Sequence, residues 1–203
     1  MNHARTALIL IGYQNDYFAP NGVLRPVVEG EASIPTCLVN TLRLLDRVAP
    51  LPVEVVSTPI LFTPNYSELV EPVGILKAIR DTGAFRTGSA GADVIADFDR
   101  FGDRITQIPG KRGLNAFAQT GLDEHLRSRG VTHVALAGVV TALCIDSTGR
   151  SAHERGFRVT VLSDCTSGRT QFEQQFYCEQ VFPLYAAVTT AEQFVSGLTG
   201  DPT

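Results

Sequence analysis

The feature of this sequence that most constrains its fold is the alternation of short apolar runs with longer amphipathic segments. Several of the short runs are apolar throughout, which is typical of strands that are covered on both faces. The predicted strands cover residues 6–11, 53–57, 105–108, 131–137, 157–162 and 185–189. Because helical segments separate these strands, the sequence predicts an α/β fold with a parallel sheet between two layers of helices.

The helical segments carry apolar residues at spacings of three and four. The clearest segment is 32–49, whose predicted apolar face is Ile34, Leu38, Leu42, Leu45 and Val48. A second helix is expected over residues 66–81, with an apolar face of Leu69, Val73, Leu76 and Ile79. A third is expected to begin at a Thr120 cap and to end at Gly130. Three more are expected at residues 141–156, 170–182 and 191–198.

Length and composition fit one domain over residues 1–203. The chain is 44% hydrophobic and 19% charged, and its net charge of −4 gives no reason to expect general binding to nucleic acid or to an anionic membrane. The apolar stretch at residues 7–11 is too short for a signal-peptide core, and no run approaches the roughly 20 residues that span a membrane. We therefore expect a cytoplasmic protein that acts on a small molecule.

The carboxyl ends of the strands are expected to hold the functional site. Right-handed crossovers bring these ends to one edge of a parallel sheet, where small-molecule sites form. The expected edge residues are Gly12, Ser57 and Thr58, 109–111, 138–144, and Ser163 and Asp164. The long irregular region 58–104 contains a glycine-rich segment and is expected to border the cleft.

Cys144 is the candidate nucleophile among the four cysteines Cys37, Cys144, Cys165 and Cys178. The sequence has no Cys-x-x-Cys and no paired His/Cys spacing, so a zinc site is not expected, and free thiols are the default in the cytoplasm. Cys144 lies near the start of a helix that follows a strand, where free amides and the helix dipole favour a thiolate and a developing oxyanion. The alternative is a buried cysteine that only packs.

Lys111 follows the third predicted strand, in the same sheet as the strand before Cys144. A lysine near a thiolate stabilises the anion and can steady charge on a substrate carbonyl. The alternatives are a solvated Lys111, or a site in which the adjacent Arg112 points inward.

Other chemistries find little support in the sequence. His3, His125, His133 and His153 do not fall at the expected active edge, and we interpret all four as structural or exposed. There is no Gly-x-Ser-x-Gly elbow, no Gly-x-Gly-x-x-Gly and no phosphate-binding loop. No catalytic metal site and no cofactor are therefore expected.

Four motifs together resemble the isochorismatase-like cysteine hydrolases, which include nicotinamidases and carbamoylsarcosine amidohydrolases. They are "ALILIGYQNDYF", "KRGLNAF", "GVVTALCIDSTGRSAHERG" and "VLSDCTSGRT", and the likeness extends from about Thr6 to about Val195. Its most specific block is Gly138, Thr141, Cys144, Thr148 and Ala152. The resemblance implies a three-layer α/β/α fold with a six-stranded, mostly parallel sheet.

The same resemblance implies a set of site residues. Cys144 would be the nucleophile and Lys111 the family lysine, and the amides of Val140 and Cys144 would form the oxyanion hole after a cis Val139–Val140 peptide bond. The family aspartate that takes the thiol proton corresponds to Gly12, which has no side chain. Candidate substitutes are Asp16, another carboxylate in the region 85–97, a water molecule, or the substrate.

The resemblance also bears on metals, on assembly and on the reaction. Metal-binding members carry Asp and His after the second strand, whereas this chain has "STPILFTPNYSEL" there. Family members commonly form dimers or tetramers, so a homo-oligomer is expected. Cleavage of a vinyl ether, which uses the missing aspartate as proton donor, is the reaction least expected.

The sequence leaves two functional hypotheses. The first is hydrolysis of an amide or ureide C–N bond of a small molecule through a Cys144 thioester, with an atypical proton acceptor. The second is a catalytically impaired member that binds a small molecule or a partner protein. The residues expected to line the substrate pocket are Gly12, Tyr13, Tyr17, Phe18, Pro59, Phe85, Val139, Val140 and Thr141.

Overall fold

Six strands form one parallel sheet in the computed structural model, which describes residues 5–28 and 33–200. The strands are β1 (Thr6–Ile11), β2 (Glu54–Thr58), β3 (Thr106–Gln107), β4 (His133–Val139), β5 (Arg158–Ser167) and β6 (Ala187–Thr189). Their order is β3-β2-β1-β4-β5-β6, and every neighbouring pair is parallel. The predicted parallel sheet is confirmed, and it is wholly rather than mostly parallel.

Eight α-helices accompany the sheet in the described residues. They are α1 (Asn15–Phe18), α2 (Arg25–Val28), α3 (Ser33–Val48), α4 (Gly74–Thr82), α5 (Leu122–Ser128), α6 (Asp146–Glu154), α7 (Gln171–Phe176) and α8 (Ala191–Thr199). Short 3-10 helices lie at Ala96–Arg104 and Phe182–Leu184, and π-helical turns lie at Thr141–Ile145 and Tyr177–Val181. None of the helices in residues 5–28 and 33–200 is long and apolar enough to cross a membrane.

The side chains of β1 show how the layers form. Leu8 and Leu10 belong to a core that includes residues of α3 and α8, whereas Ala7, Ile9 and Ile11 belong to a core that includes residues of α5 and α6. Because successive side chains of a strand point to opposite faces, a fully apolar strand needs helices on both sides. All six residues of β1 are buried, as the continuous apolar run predicts.

The prediction of a helix over residues 66–81 is wrong for the first half of that range. The helix α4 begins at Gly74, and Val73, placed on the apolar face, is 79% exposed. Glu71 adopts a positive φ of 45° and precedes Pro72, whose ring disfavours helical geometry in the residue before it. Ile79 is buried as expected.

The predicted Thr120 cap is also wrong. Gly121, which has no side chain to form a cap hydrogen bond, occupies the N-cap position of α5. The Thr120 hydroxyl donates to the carbonyl oxygen of Ala116 and accepts a 3.4 Å hydrogen bond from Leu122 N. The threonine therefore closes the turn before the helix.

The sheet order places a topological switch point between β1 and β4. The chain proceeds from β1 outward through β2 to β3, then returns to β4 and proceeds outward on the other side. Ile11 at the end of β1 is in register with Gly138 near the end of β4. Ligands of open α/β sheets bind in the crevice beyond such a point. Gly12 and Val140, which follow these two positions, therefore lie where a ligand site is expected.

Candidate active site

Lys111 and Cys144 form a buried pair at this edge of the sheet. Lys111 Nζ donates a 3.2 Å hydrogen bond to Cys144 Sγ and a second hydrogen bond to the carbonyl oxygen of Gly113. Lys111 is 0% exposed and Cys144 is 3% exposed. Among the described residues, Lys111 is the one side chain hydrogen-bonded to this sulfur. This hydrogen bond places the amine of Lys111 directly against the sulfur of Cys144.

Arg112, the alternative cation, does not point into the site. Its side chain is 50% exposed and lies 3.4 Å from Glu68 Oε1. Burial opposes the shift, but hydrogen bonds from the Thr63 hydroxyl and amide, together with the nearby charge of Arg112, lower the pKa of Glu68. The structure therefore separates two adjacent cations that the sequence could not distinguish.

The chain after β3 turns inward to bring Lys111 to Cys144. The strand β3 is the edge strand, three places away from β4. Beyond it, Ile108 N donates to Ser57 O at 2.9 Å, and Lys111 pairs in parallel with Ile60 through a 3.1 Å bond from Leu61 N to Lys111 O. The lysine thus lies beyond the end of β2, nearer the switch point than β3 itself.

The turn before Cys144 is built on a close approach of β4 to β1. A Cβ on Gly138 would lie 1.9 Å from Ile11 O, and the residue has a φ of 125°, so only glycine fits. The Val139–Val140 peptide bond is cis, as the resemblance implies. Val140 O then accepts from the amides of Leu143 and Ile145, at 3.1 and 3.2 Å. This arrangement starts the π-helical turn that carries Cys144.

Gly12 is closely surrounded by other residues. It has a φ of 76°, and a Cβ built there would lie 2.8 Å from Val139 O, 3.0 Å from Val139 Cγ2 and 3.6 Å from Tyr17 Cδ2. L-residues rarely adopt this backbone conformation, and the carbonyl contact is closer than real Cβ atoms allow. The backbone at residue 12 is therefore arranged for glycine.

The carboxylate of Asp16, the candidate substitute base, is hydrogen-bonded to the backbone of neighbouring loops. Its Oδ2 accepts a 2.6 Å hydrogen bond from Phe85 N, and the backbone of Val23 also bonds to the carboxylate. A Cβ on Gly91 would lie 2.1 Å from Asp16 Oδ1. Burial raises the pKa of Asp16, and these amide bonds oppose the increase. No hydrogen bond in the described parts of the chain joins Asp16 to Lys111 or Cys144, so the structure favours an anchoring role over that of a base.

Gln14 and Asn15 anchor the same region; both lie within the motif "ALILIGYQNDYF", but neither was among the predicted site residues. Gln14 Nε2 donates to Ile60 O at 2.8 Å and to Ala92 O at 2.7 Å, and its Oε1 accepts from Ile60 N at 2.7 Å. Asn15 Nδ2 donates to Ala90 O at 2.8 Å. Buried side chains that replace missing backbone partners fix irregular segments. The polar run after β1 thus positions the loops that flank Lys111.

The aromatic pocket candidates divide into two groups. Tyr13 donates to or accepts from Thr41 Oγ1 of α3 at 2.6 Å, and its ring stacks on Phe18 at a centroid distance of 4.9 Å. Tyr13 and Phe18 belong to the core that includes residues of α3, as do Tyr17 and Phe85, and their assignment to the pocket stays a prediction. Tyr17 instead packs against Phe85, with centroids 5.1 Å apart.

The remaining pocket candidates lie beside the pair. Pro59, Val139, Val140 and Thr141 are buried at the carboxyl ends of β2 and β4. The Thr141 hydroxyl donates to Gln174 Oε1 of α7, and Gln174 Nε2 donates to Ser163 O at 3.0 Å and to Thr166 Oγ1 at 2.9 Å. Gln174 is a further residue near the site that the sequence did not indicate, because it follows Thr141 by 33 positions.

Thr148 of the resemblance motif connects the segment that follows Lys111 to the helix that follows Cys144. Its Oγ1 accepts a 3.0 Å hydrogen bond from Ala116 N, in the segment after Lys111. Its helix, α6, follows directly on the turn that carries Cys144. The threonine therefore fixes the lysine segment against the cysteine segment.

The histidines lie outside this cluster where they are described. His125 bonds to Glu54 Oε1 at 2.8 Å, His133 bonds to Thr160 Oγ1 at 2.8 Å, and His153 is exposed on α6. His3 lies outside the described residues. No three His, Cys, Asp or Glu side chains within residues 5–28 and 33–200 come together as a metal-binding group.

Sequence comparison relates the chain to hydrolases. The profile of the Isochorismatase domain matches residues 6–193. The protein YecD of Escherichia coli O157:H7, an uncharacterized isochorismatase family protein, is 31% identical over 43% of this chain and 47% of its own length. Nicotinamidase 3 of Arabidopsis thaliana is 25% identical over 82% of this chain and 75% of its own. Ureidoacrylate amidohydrolase RutB of Cronobacter turicensis is 28% identical over 48% and 44%. The chain spans about half the length of YecD, and about half that of YwoC of Bacillus subtilis, another uncharacterized isochorismatase family protein.

Solved structures share the fold. A cysteine hydrolase from Pseudomonas syringae superposes with a TM-score of 0.82 at 21% identity, over 100% of this chain and 96% of that one. N-carbamoylsarcosine amidase from Thermoplasma acidophilum superposes with a TM-score of 0.72 at 19% identity, over 93% and 97%. Similarity at this level of identity bears on architecture alone.

Proposed function

This chain belongs to the isochorismatase family, and we propose that it is a cysteine hydrolase that cleaves an amide or ureide C–N bond of a small molecule. The observation that carries the proposal is the buried hydrogen bond from Lys111 Nζ to Cys144 Sγ at 3.2 Å. A cysteine that only packs does not require a buried lysine, because burying an amine is costly unless it has partners. Amidase relatives, named for nicotinamide and ureidoacrylate, support the same class of reaction.

In the proposed first step, one proton passes from Cys144 Sγ to Lys111 Nζ. The thiolate attacks the substrate carbonyl carbon, a C–S bond forms, and the carbonyl π electrons move to oxygen. We propose that the amides of Val140 and Cys144 bind this oxyanion, since donors at a helix start stabilise such charge. The oxyanion-hole assignment comes from the family resemblance.

In the second step, the carbonyl re-forms and the C–N bond breaks. The departing nitrogen takes the proton from the Lys111 ammonium and leaves as ammonia or an amine. A water molecule then attacks the thioester and gives one proton to Lys111. When the C–S bond breaks, that proton returns to sulfur, so the enzyme regains its starting state.

This scheme assigns the task of a base to Lys111. Gly12 has no side chain, and the carboxylate of Asp16 bonds to the amide of Phe85. The lysine is the group in contact with the sulfur, so it can both accept the thiol proton and deliver it. General acid–base help is typically worth about 10²–10⁴-fold.

A substrate panel with trapping of the acyl-enzyme tests the proposal. The panel is nicotinamide, ureidoacrylate and N-carbamoylsarcosine, with ammonia release as the readout and intact mass as the measure of the thioester. We expect turnover of at least one compound and an acyl adduct on Cys144. Cys144→Ala should abolish both while the fold, followed by circular dichroism, is retained.

The alternative function is binding without turnover, and the glycine at position 12 is the observation that favours it. In that case a panel compound raises the melting temperature of both the wild-type protein and Cys144→Ala, with no ammonia release from either. Ammonia release that persists in Cys144→Ala contradicts the proposed mechanism.

A further inference from the structure

The π-helical turn that carries Cys144 begins at Thr141, and a side chain of another helix holds that first residue. Thr141 is wholly buried, and its hydroxyl donates to Gln174 Oε1 on α7. Val140, at the N-cap position of the turn, has an apolar side chain that cannot accept a hydrogen bond as a cap. The start of the turn therefore depends on α7 for a side-chain hydrogen bond.

The amide group of Gln174 has a defined orientation. Its Nε2 donates to Ser163 O at 3.0 Å, to Thr166 Oγ1 at 2.9 Å and, more weakly, to Cys178 Sγ at 3.4 Å. Because a carbonyl oxygen can only accept a hydrogen bond, the NH2 group must face Ser163, and Oε1 then faces Thr141. The Thr141 hydroxyl is therefore the donor, and the contact has one bonding pattern.

The partners of this amide in β5 lie where the strand is irregular. Leu136 pairs with Val161 and Gly138 pairs with Thr166, so two positions along β4 correspond to five positions along β5. Such a bulge disrupts the ladder locally, and the amide from α7 bonds to the Ser163 carbonyl within it. One side chain thus connects the irregular part of β5 to the turn that follows β4.

The helix α7 is itself anchored at its start. Thr170 Oγ1 accepts a 3.1 Å hydrogen bond from Glu173 N, which caps the helix. The buried Glu173 carboxylate accepts from Arg169 N at 3.0 Å and from Arg169 Nε at 2.6 Å. Gln174 therefore projects from a fixed helix and can set the position of the residue that it contacts.

Thr141 and Cys144 are three positions apart in the same turn, so the position of one affects the direction of the other. Cys144 Sγ must lie near Lys111 Nζ to form the 3.2 Å hydrogen bond, which weakens as its distance and angle depart from the favoured range. Thr148 holds the segment after Lys111 against the helix after the turn. Gln174 holds the opposite end of that turn.

We propose that Gln174 is a positioning residue that holds the turn at Thr141 so that Cys144 Sγ meets Lys111 Nζ. This inference rests on the proposed function, because the placement of the sulfur matters there for the reaction. Gln174 acts through the Thr141 hydroxyl, to which its Oε1 is bonded. Its loss should therefore lower the reactivity of Cys144 while Lys111 is present, and should have little effect once the lysine is removed.

The rate of Cys144 alkylation by iodoacetamide at pH 7 tests the inference in two backgrounds, the wild type and Lys111→Met. Gln174→Met keeps the length of the side chain and removes its amide. We expect this substitution to slow the reaction about five- to tenfold in the wild-type background, since it removes the hydrogen bond that places the turn. In the Lys111→Met background the rate should change less than twofold. Equal slowing in the two backgrounds would show that Gln174 supports the fold without placing the sulfur.

Gln175→Met is the matched control, because Gln175 is the next residue of α7 but is exposed and bonds to Glu179 Oε1 at 2.9 Å. It should leave the Cys144 rate within twofold of the wild type. Circular dichroism shows whether each variant folds. If Gln174→Met does not fold, Thr141→Val removes the other half of the contact and carries the same expectations.

The outcomes separate this inference from the proposed function. If Gln174→Met folds and leaves the Cys144 rate unchanged while wild-type Cys144 reacts rapidly, the Gln174 inference is wrong and the proposed function stands. If wild-type Cys144 reacts no faster than Cys178, both proposals fail, because the sulfur then has no activation for Gln174 to support.

Discussion

Lys111 Nζ lies 3.2 Å from Cys144 Sγ, although 33 positions separate the two residues in the chain. The lysine is wholly buried, and the inward turn after β3 rather than the strand itself brings it to the sulfur. The proposed chemistry depends on this contact and on the residues that hold the two side chains in place.

Replacing Lys111 by methionine keeps a long side chain in the buried position and removes the charge. We expect alkylation of Cys144 by iodoacetamide at pH 7 to slow by about 10- to 100-fold, since a hydrogen bond to a charged group contributes about 1.5–3 kcal/mol. Lys77→Met is the control, because Lys77 is exposed and pairs with Asp81. Equal rates in the two variants would show that the lysine does not activate the thiol.

Gly12→Ala should destabilise the fold rather than restore an activity. Both its positive φ of 76° and the 2.8 Å approach of a Cβ to Val139 O oppose the substitution. Gly88→Ala is the control, because Gly88 has a φ of 82° and no atom of the described residues lies within 4 Å of its Cβ position. The control isolates the backbone cost of roughly 1–2 kcal/mol, and Gly12→Ala should exceed it by at least about 1 kcal/mol in urea unfolding. Equal losses in the two variants would show that the space beside Gly12 is open.

Asp16→Asn distinguishes an anchor from a base. The asparagine oxygen can still accept from Phe85 N, which the carboxylate binds at 2.6 Å. We expect turnover of any panel substrate to stay within about threefold of the wild type, whereas loss of a general base typically costs about 10²–10⁴-fold. A loss in that larger range, with an unchanged melting temperature, would restore Asp16 as the proton acceptor.

His133 should make the fold sensitive to acid. Burial lowers the pKa of His133 to about 4 in the folded protein, and Nδ1 has no hydrogen-bond partner among residues 5–28 and 33–200. The unfolded chain binds this proton near pH 6.5, so stability is lost as the pH falls from about 6.5 to about 4, by up to roughly 3 kcal/mol. Urea unfolding at several pH values measures how steeply the free energy of unfolding changes with pH.

A second histidine provides the control for this pH dependence of the free energy of unfolding. His133→Gln should flatten the pH dependence, whereas His153→Gln, at an exposed position of α6, should leave it unchanged. A slope that is the same in His133→Gln and in the wild type would assign the acid sensitivity to other groups.

The sheet was predictable because strands that are buried on both faces appear in the sequence as nearly continuous apolar runs. The largely apolar β1 and β4 were found, with their ends displaced by at most two residues. The prediction of a helix failed for the first half of residues 66–81. The apolar spacing there is helical, but Glu71 and Pro72 require another backbone conformation. Spacing alone does not report the positive φ of Glu71.

The site was predictable in part for a related reason. Strand ends and a helix start point to Cys144 and Lys111 without any knowledge of contacts. The sequence does not distinguish Tyr13 from Tyr17, because the 2.6 Å contact of the Tyr13 hydroxyl with Thr41 of α3 arises from tertiary packing. Gln174 was missed because its contact with Thr141 arises from tertiary packing of α7 against the site, not from a local pattern.

The most direct measurement is the competition between Cys144 and Cys178 for iodoacetamide at pH 7, followed site by site with peptide mass spectrometry. Cys144 is 3% exposed, whereas Cys178 is partly exposed and burial raises its pKa to about 11. Accessibility alone favours Cys178, and activation by Lys111 favours Cys144. We predict that Cys144 is modified at least about tenfold faster, since one charge-assisted hydrogen bond is worth that much. Modification of Cys178 first, or equal rates at the two sites, would contradict the assignment of Cys144 as the nucleophile.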